Sequence, residues 1–243
     1  MDQIRLKKYI AENPDMKLRD VVTQLLYDDI MELRIVPGSK LNVNQLAANL
    51  GISRTPVAEA IAKLTEYGFV LTRPGMSGSF VLDLNLNDMI SLYRVRSAIE
   101  CEAAAQCAHK CSEDTVRRLE ELAVAFKESV INRDSDAMKE TDMPFHKLLI
   151  SSCGNPYIEQ CYQQIMPKLT MYQGKMTEIV VRCGSENPWM NSLMYNHIAV
   201  ASAIRLHMPE LARQSMADHV ETSLSFTTFS GNGNDPFMIL SGK

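Results

Sequence analysis

Apolar residues recur at intervals of three and four from position 18, where Leu18, Val21, Val22, Leu25, Leu26, Ile30 and Leu33 form one stripe. That spacing predicts an amphipathic helix over 18–33. It ends before Ile35-Val36-Pro37-Gly38, because proline disfavours helix in the residue before it and Pro-Gly favours a turn. A short helix is expected over 43–50 with Leu46, Ala47 and Leu50 inward, stopped by Gly51. Another begins around Ser53-Arg54-Thr55-Pro56, where Ser or Thr can cap the free amides and proline fits the first turn. It carries Val57, Ile61 and Leu64 on one stripe and ends at Gly68. Two β-prone runs, 69–72 and 80–82, flank the tip Arg73-Pro74-Gly75-Met76-Ser77-Gly78-Ser79 and predict a hairpin.

Beyond the polar segment 83–87, which reads as a linker, no further strand is expected. Helices are predicted at about 88–110, 113–132, 135–152, 156–182, 188–206 and 209–226, with Asn155-Pro156 and Met208-Pro209 as start signals and Pro167 bending the fourth. The turn-rich tail 229–243 reads as disordered. The expected fold is mainly α: a small unit over 1–82 with its core at 18–82, made of three helices and a β-hairpin, then an all-α bundle over 88–228.

Composition narrows the class. With 46% apolar and 22% charged residues in 243, the chain is ordinary globular protein. No run approaches the roughly 18 apolar residues of a membrane helix, and the start MDQIRLKKYIAENPD lacks an apolar signal core, so a cytoplasmic protein is expected. The 6 cysteines form no CxxC pair and are expected to remain thiols, with Cys101, Cys107 and Cys111 as buried small apolar residues and not metal ligands. Net charge is −4, but it is unevenly spread: bases slightly outnumber acids over 1–82 and acids outnumber bases thereafter. The direction suits nucleic-acid binding by the first part, through surface formed on folding.

Two short helices joined at a glycine and followed by a hairpin form the pattern of a winged helix-turn-helix. Arg54 and Thr55 stand at the N-terminal end of the second helix, where base edges and phosphates are met. The stretch Pro37-Gly38-Ser39-Lys40-Leu41, Leu46-Ala47, Gly51-Ile52-Ser53-Arg54-Thr55-Pro56-Val57-Ala58-Glu59-Ala60, Leu64 and Gly68-Phe69-Val70 closely resembles the DNA-binding domain of the gluconate-repressor (GntR) family. The resemblance implies that Arg54 reads a guanine and Thr55 touches a phosphate or base. It places Ser53 and Pro56 in the same helix start, Gly75 and Gly78 at a wing tip near the minor groove, and Lys40 and Arg73 on the backbone. Where the family usually has arginine this chain has Ala58, a loss of about 1–3 kcal/mol of discrimination at one base pair; either the operator differs there or Arg73, Lys40 and Lys63 compensate through phosphates. A homodimer on a palindromic double-stranded DNA operator is implied.

In the helical part, Asp142 and His146 lie four apart and share a helix face. His197 and His219 fall among apolar residues of two later helices. Taken singly, each histidine reads better as a satisfied core residue than as a ligand; together, three imidazoles and a carboxylate facing a bundle interior would hold a divalent cation. The set resembles the FCD effector domain of the FadR-like subgroup, which implies a metal (Zn, Ni, Mn or Fe) held by Asp142, His146, His197 and His219. Four ligands would saturate zinc, whereas a six-coordinate ion leaves positions for an effector, the arrangement favoured here. Arg96 matches a pocket arginine and would anchor a carboxylate by a forked hydrogen bond, or else form a helix-surface pair with Glu100. Arg94 departs from an acidic residue common there. His109 and His207 match no ligand position and read as surface or helix-end residues.

The function implied is that of a transcriptional regulator, a repressor in the first instance, with no catalytic residues, whose operator affinity is set by a small organic acid bound at the metal. Two alternatives stay open: a direct metal-ion sensor and a metal-dependent enzyme, although no HExxH or comparable base placement is present.

Overall fold

The computed structural model describes residues 3–182 and 188–229 and divides into two compact units, Met1–Leu84 and Asn85–Lys243. The expected tail at 229–243 lies, after Phe229, outside the described residues, as does Cys183.

In the first unit, α2 (Leu18–Met31) buries Val21, Val22, Leu25, Leu26 and Ile30 against α4 (Arg54–Glu66), which returns Val57, Ala60, Ile61 and Leu64. Between them lies α3 (Val43–Leu50), whose Asn42 cap accepts a 3.2 Å hydrogen bond from the Gln45 amide. Its inward face is Ala47 and Leu50; Leu46 is only half-buried. Gly51 closes α3 at φ 67°, a left-handed conformation that a side chain resists. Ser53 does occupy the N-cap of α4, but its side chain makes no capping hydrogen bond.

Strands β2 (Val70–Thr72) and β3 (Ser79–Val81) pair antiparallel with Leu71 opposite Phe80, forming the wing. A third strand that the pattern did not predict, β1 (Lys40–Leu41), adds to the other side of β3, giving the order β1-β3-β2. Its two residues are too short to show alternation. An additional helix, α1 (Gln3–Glu12), also escaped the pattern, for it buries only Leu6. A polar anchor fixes it: Arg5 pairs with Asp29 of α2, a fully buried carboxylate that Arg34 Nε also meets at 2.6 Å.

The second unit is helical throughout its described residues. Helix α5 (Leu86–Lys110) begins two residues before the expected start, because Asn85 caps it by accepting from the Asp88 amide at 2.9 Å; the expected linker is shorter by that much. Then come α6 (Glu113–Asn132), α7 (Ser135–Ser152), α8 (Pro156–Arg182), α9 (Met190–Arg205) and α10 (Pro209–Phe229). Side-chain caps from Ser112 and Asp134 start α6 and α7. Helix α10 packs on α5 and α9, and α6 on α7 and α9. Cys101 and Cys107 are buried, but Cys111, the C-cap of α5, is only half-buried. No described helix is long and apolar enough to cross a membrane.

Candidate metal centre and nucleic-acid surface

Three helices of the second unit aim four polar side chains at one buried point. Asp142 and His146 come from one face of α7, His197 from α9 and His219 from α10. Their potential ligand atoms all lie within 4.8 Å of one another. The Nε2 atom of His146 is 3.2 Å from that of His197 and 3.1 Å from that of His219. Asp142 Oδ1 stands 3.4 Å from His197 Nε2 and 3.7 Å from His146 Nε2. The three imidazoles are 0%, 0% and 1% exposed. Pro144 lies inside α7 between the two α7 ligands and removes one backbone donor there.

Arg96 and Glu100 of α5 complete the surroundings. Arg96 Nε donates to Glu100 Oε1 at 2.9 Å, and Arg96 Nη2 to His146 Nε2 at 2.8 Å. The pair exists, but it is not on the surface: Arg96 is 5% and Glu100 0% exposed. On the other side of His146, Nδ1 lies 3.0 Å from Glu100 Oε2, close enough for an ionic contact although too poorly aligned for a good hydrogen bond. Gln173 of α8 donates to Asp142 Oδ2 at 2.8 Å, leaving Oδ1 toward the imidazoles. Sequence reasoning missed Gln173, one amide in the run Met171-Tyr172-Gln173-Gly174 with no spacing that ties it to the cluster.

The electrostatics follow from burial and neighbours. Burial pushes His197 down to about 3 and His219 well below its ordinary value, the latter helped by the adjacent imidazoles and Arg96. His146 is also penalised by burial, but Glu100 and Asp142 together outweigh that penalty and its pKa rises. Burial would raise Asp142; the adjacent His146, with His197 and Arg96, holds it well below the usual carboxylate range instead. Glu100 is likewise held low against burial by Arg96 and His146.

These contacts leave the cluster poorly satisfied by protein groups alone. A guanidinium can only donate, so His146 Nε2 accepts and its proton sits on Nδ1, facing Glu100. That lone pair then meets Arg96 together with the Nε2 atoms of His197 and His219, which either compete to donate to it or bring lone pair against lone pair. A metal ion accepting from all three imidazoles resolves this conflict. Bonds of about 2.0–2.1 Å place neighbouring ligand atoms roughly 3.0 Å apart in octahedral and 3.4 Å apart in tetrahedral geometry; the nitrogen pairs at 3.1 and 3.2 Å fall in that interval, while Asp142 Oδ1, at 3.4 and 3.7 Å from the imidazoles, lies at its edge and beyond it. The carboxylate behind His146 is the outer partner that a ligating imidazole commonly has. The four residues are a group that can hold a divalent ion. The other histidines lie apart from it: His109 is exposed in the last turn of α5, and His207, exposed at φ 54° after α9, meets the Ala108 carbonyl at 3.0 Å.

In the first unit, the α4 start presents Ser53, Arg54 and Thr55 exposed and Pro56 half-buried, with Ala58 exposed one turn on. At the wing base, the Lys40 ammonium lies 6.0 Å and the Arg73 guanidinium 4.9 Å from the centre of the Phe80 ring, which brings both cations to one ring. Gly75 is exposed at the tip with φ 74° and open space where a Cβ would be. At Gly78, φ 111°, a Cβ would strike the Lys40 side chain. Lys63 is differently engaged, tied to Asp20 at 3.1 Å.

The model of the gntR family of bacterial regulatory proteins matches residues 18–81, and that of the FCD domain matches residues 91–222. The chain belongs to the GntR family of bacterial regulatory proteins, with an FCD domain. Among characterised relatives, this GntR chain is 30% identical over 143 residues to the HTH-type transcriptional repressor RspR of Escherichia coli K12, a match that spans 58% of the chain and 62% of RspR. It is 26% identical over 217 residues to the probable D-xylose utilization operon transcriptional repressor of Paenarthrobacter nicotinovorans, covering 88% of this chain and 90% of that one. Its fold resembles that of E. coli McbR/YncC, at a TM-score of 0.61, 19% identity and coverage of 85% and 94%. A GntR regulator from Rhodococcus sp. RHA1 gives 0.62 at 22% identity, covering 85% and 95%. These relatives carry regulators, not enzymes, in their names.

Proposed function

We propose that this chain is a cytoplasmic repressor that binds a palindromic double-stranded operator as a homodimer and is controlled by a small organic acid bound at a divalent metal in the FCD domain. The observation that carries the reading is the convergence of Asp142, His146 and His197, joined by His219, on one buried point beside Arg96. Such a group has no role in DNA contact and is suited to a ligand that changes the packing of four helices at once. When bound, the ion supplies positive charge and coordination positions for an anionic oxygen. Asp142 and the three imidazoles hold it, Gln173 orients Asp142, and Glu100 orients His146. Arg96, whose hydrogen bond to His146 competes with a metal for the same lone pair, is the residue suited to receive a carboxylate. On the DNA side, Arg54 and Thr55 read or brace the major groove with Ser53 and Pro56, while Lys40, Arg73, Gly75 and Gly78 serve the wing.

The test uses operator fragments selected from a random duplex pool by the purified chain. Binding is followed by fluorescence anisotropy with Zn(II)-, Ni(II)- or Mn(II)-loaded protein, with and without a panel of organic acids. The proposal expects one or more acids to shift operator affinity by about 5- to 150-fold, and only in metal-loaded protein. A direct metal sensor is the second reading, favoured by the presence of four protein ligands, enough to saturate a tetrahedral ion. It expects affinity to follow free metal with no acid present.

A further inference from the structure

A small, partly enclosed cavity of about 30 Å³ adjoins the centre, with Asp142 and Arg96 in its wall. The rest of the wall is of another character. Phe126, Met138, Met176, Val180 and Leu193 line it and also belong to the apolar core of the bundle. The remaining polar lining is uncharged at neutral pH, among it Gln173, Thr177 and Ser223. Among the described residues of the wall, Arg96 is the one cation and Asp142 the one carboxylate. All the positive charge that can receive an anion, the guanidinium and a bound metal, therefore lies at the end where the cavity meets the centre.

An occupant with a single carboxylate satisfies that end. A second ionised carboxylate away from Arg96 would lie against the apolar lining, methionine, leucine and valine among it, with no cation of the wall to pair it, and burying such a charge is strongly unfavourable. Methionine side chains adapt to irregular apolar shapes, so Met138, Met143 and Met176 in the wall can yield to a short hydrocarbon body without demanding one outline. We infer that the effector class is a monocarboxylate with an apolar body, and that di- and tricarboxylates are rejected. The inference rests on the proposal that the centre is a metal site for an organic acid.

Calorimetric titration of the full Zn(II)- or Ni(II)-loaded chain tests it with acetate, butanoate and hexanoate, succinate and citrate, and uncharged hexanamide. Affinity is expected to rise about fourfold per added methylene, butanoate to bind at least tenfold tighter than succinate or citrate, and hexanoate at least tenfold tighter than its amide. Succinate or citrate binding as well as butanoate overturns the apolar-body inference and leaves acid binding at the metal standing. If no acid binds the loaded protein, the underlying proposal itself fails. Met176→Lys, which adds a cation to the apolar wall, is expected to move the succinate-to-butanoate ratio toward succinate by tenfold or more; an unchanged ratio in a folded variant contradicts the inference.

Discussion

Lowering the pH of the metal-free chain from 7 to 5 protonates histidines in the unfolded state that the folded bundle keeps neutral. His197 has a folded pKa of about 3 against 6.5 unfolded. Because the folded value is depressed, the unfolded chain takes up the proton first, and stability falls as pH drops through 6.5 toward 3. The slope approaches about 1.4 kcal/mol per pH unit, and its integral from pH 7 to 5 is about 2 kcal/mol for His197. His219, also depressed, acts in the same direction. His146 opposes them: its raised pKa gives a stabilisation fully present below 6.5 and lost as pH rises through its folded value. Asp142 and Glu100 contribute little in this window, since their unfolded values of 3.8 and 4.5 lie beneath it. With roughly 2–4 °C per kcal/mol for a unit this size, a fall of about 4–8 °C in the melting temperature of the helical unit is expected. Scanning calorimetry of chelator-treated full chain at pH 7, 6 and 5 measures it, with His197→Gln expected to flatten the dependence. A melting temperature that stays level or rises on acidification refutes the buried, neutral state assigned to His197 and His219.

Arg54→Ala is expected to abolish sequence-specific operator binding while leaving the melting curve within about 0.5 kcal/mol of wild type, because the side chain is exposed; anisotropy and calorimetry on the same preparation check both halves. Glu100→Gln removes the negative partner of His146 and Arg96, and a 10–100-fold loss of metal affinity is expected by competition against a chelator of known affinity; an unchanged affinity would mean that Glu100 serves Arg96 alone. Gly51→Ala forces a Cβ into a left-handed residue and onto the Gln3 side chain, so a loss of about 1–2 kcal/mol is expected in the denaturant unfolding of the first unit.

The parts of this molecule legible in the sequence are those written in periodic apolar residues or in turn chemistry. Val21, Leu25, Leu26 and Ile30 mark α2, and the Gly51-to-Pro56 turn marks the start of α4. The i,i+4 spacing of Asp142 and His146 puts two ligands on one face before any coordinates are known. Features held by single polar contacts are not legible in this way. Helix α1 buries one leucine and is anchored by Arg5 on Asp29, a pairing 24 residues apart that leaves no local trace. Gln173 reaches Asp142 across 31 positions. The Arg96–Glu100 spacing suits an exposed helix pair equally well, and only the packing of α5 against the other helices makes it a buried one. The Ser53 cap shows the converse: the residue type favoured at a helix start is there, but its side chain makes no capping hydrogen bond.

The most direct test of the metal-dependent account is elemental analysis with X-ray absorption at the metal edge, on wild-type protein and on Asp142→Ala and His219→Ala. One divalent ion per chain is expected, coordinated by three imidazole nitrogens and a carboxylate oxygen at about 2.0–2.2 Å, with the ion lost or bound far more weakly in both variants. Folded wild-type protein that takes up no divalent ion, or variants that retain it unchanged, would contradict the assignment of these four side chains.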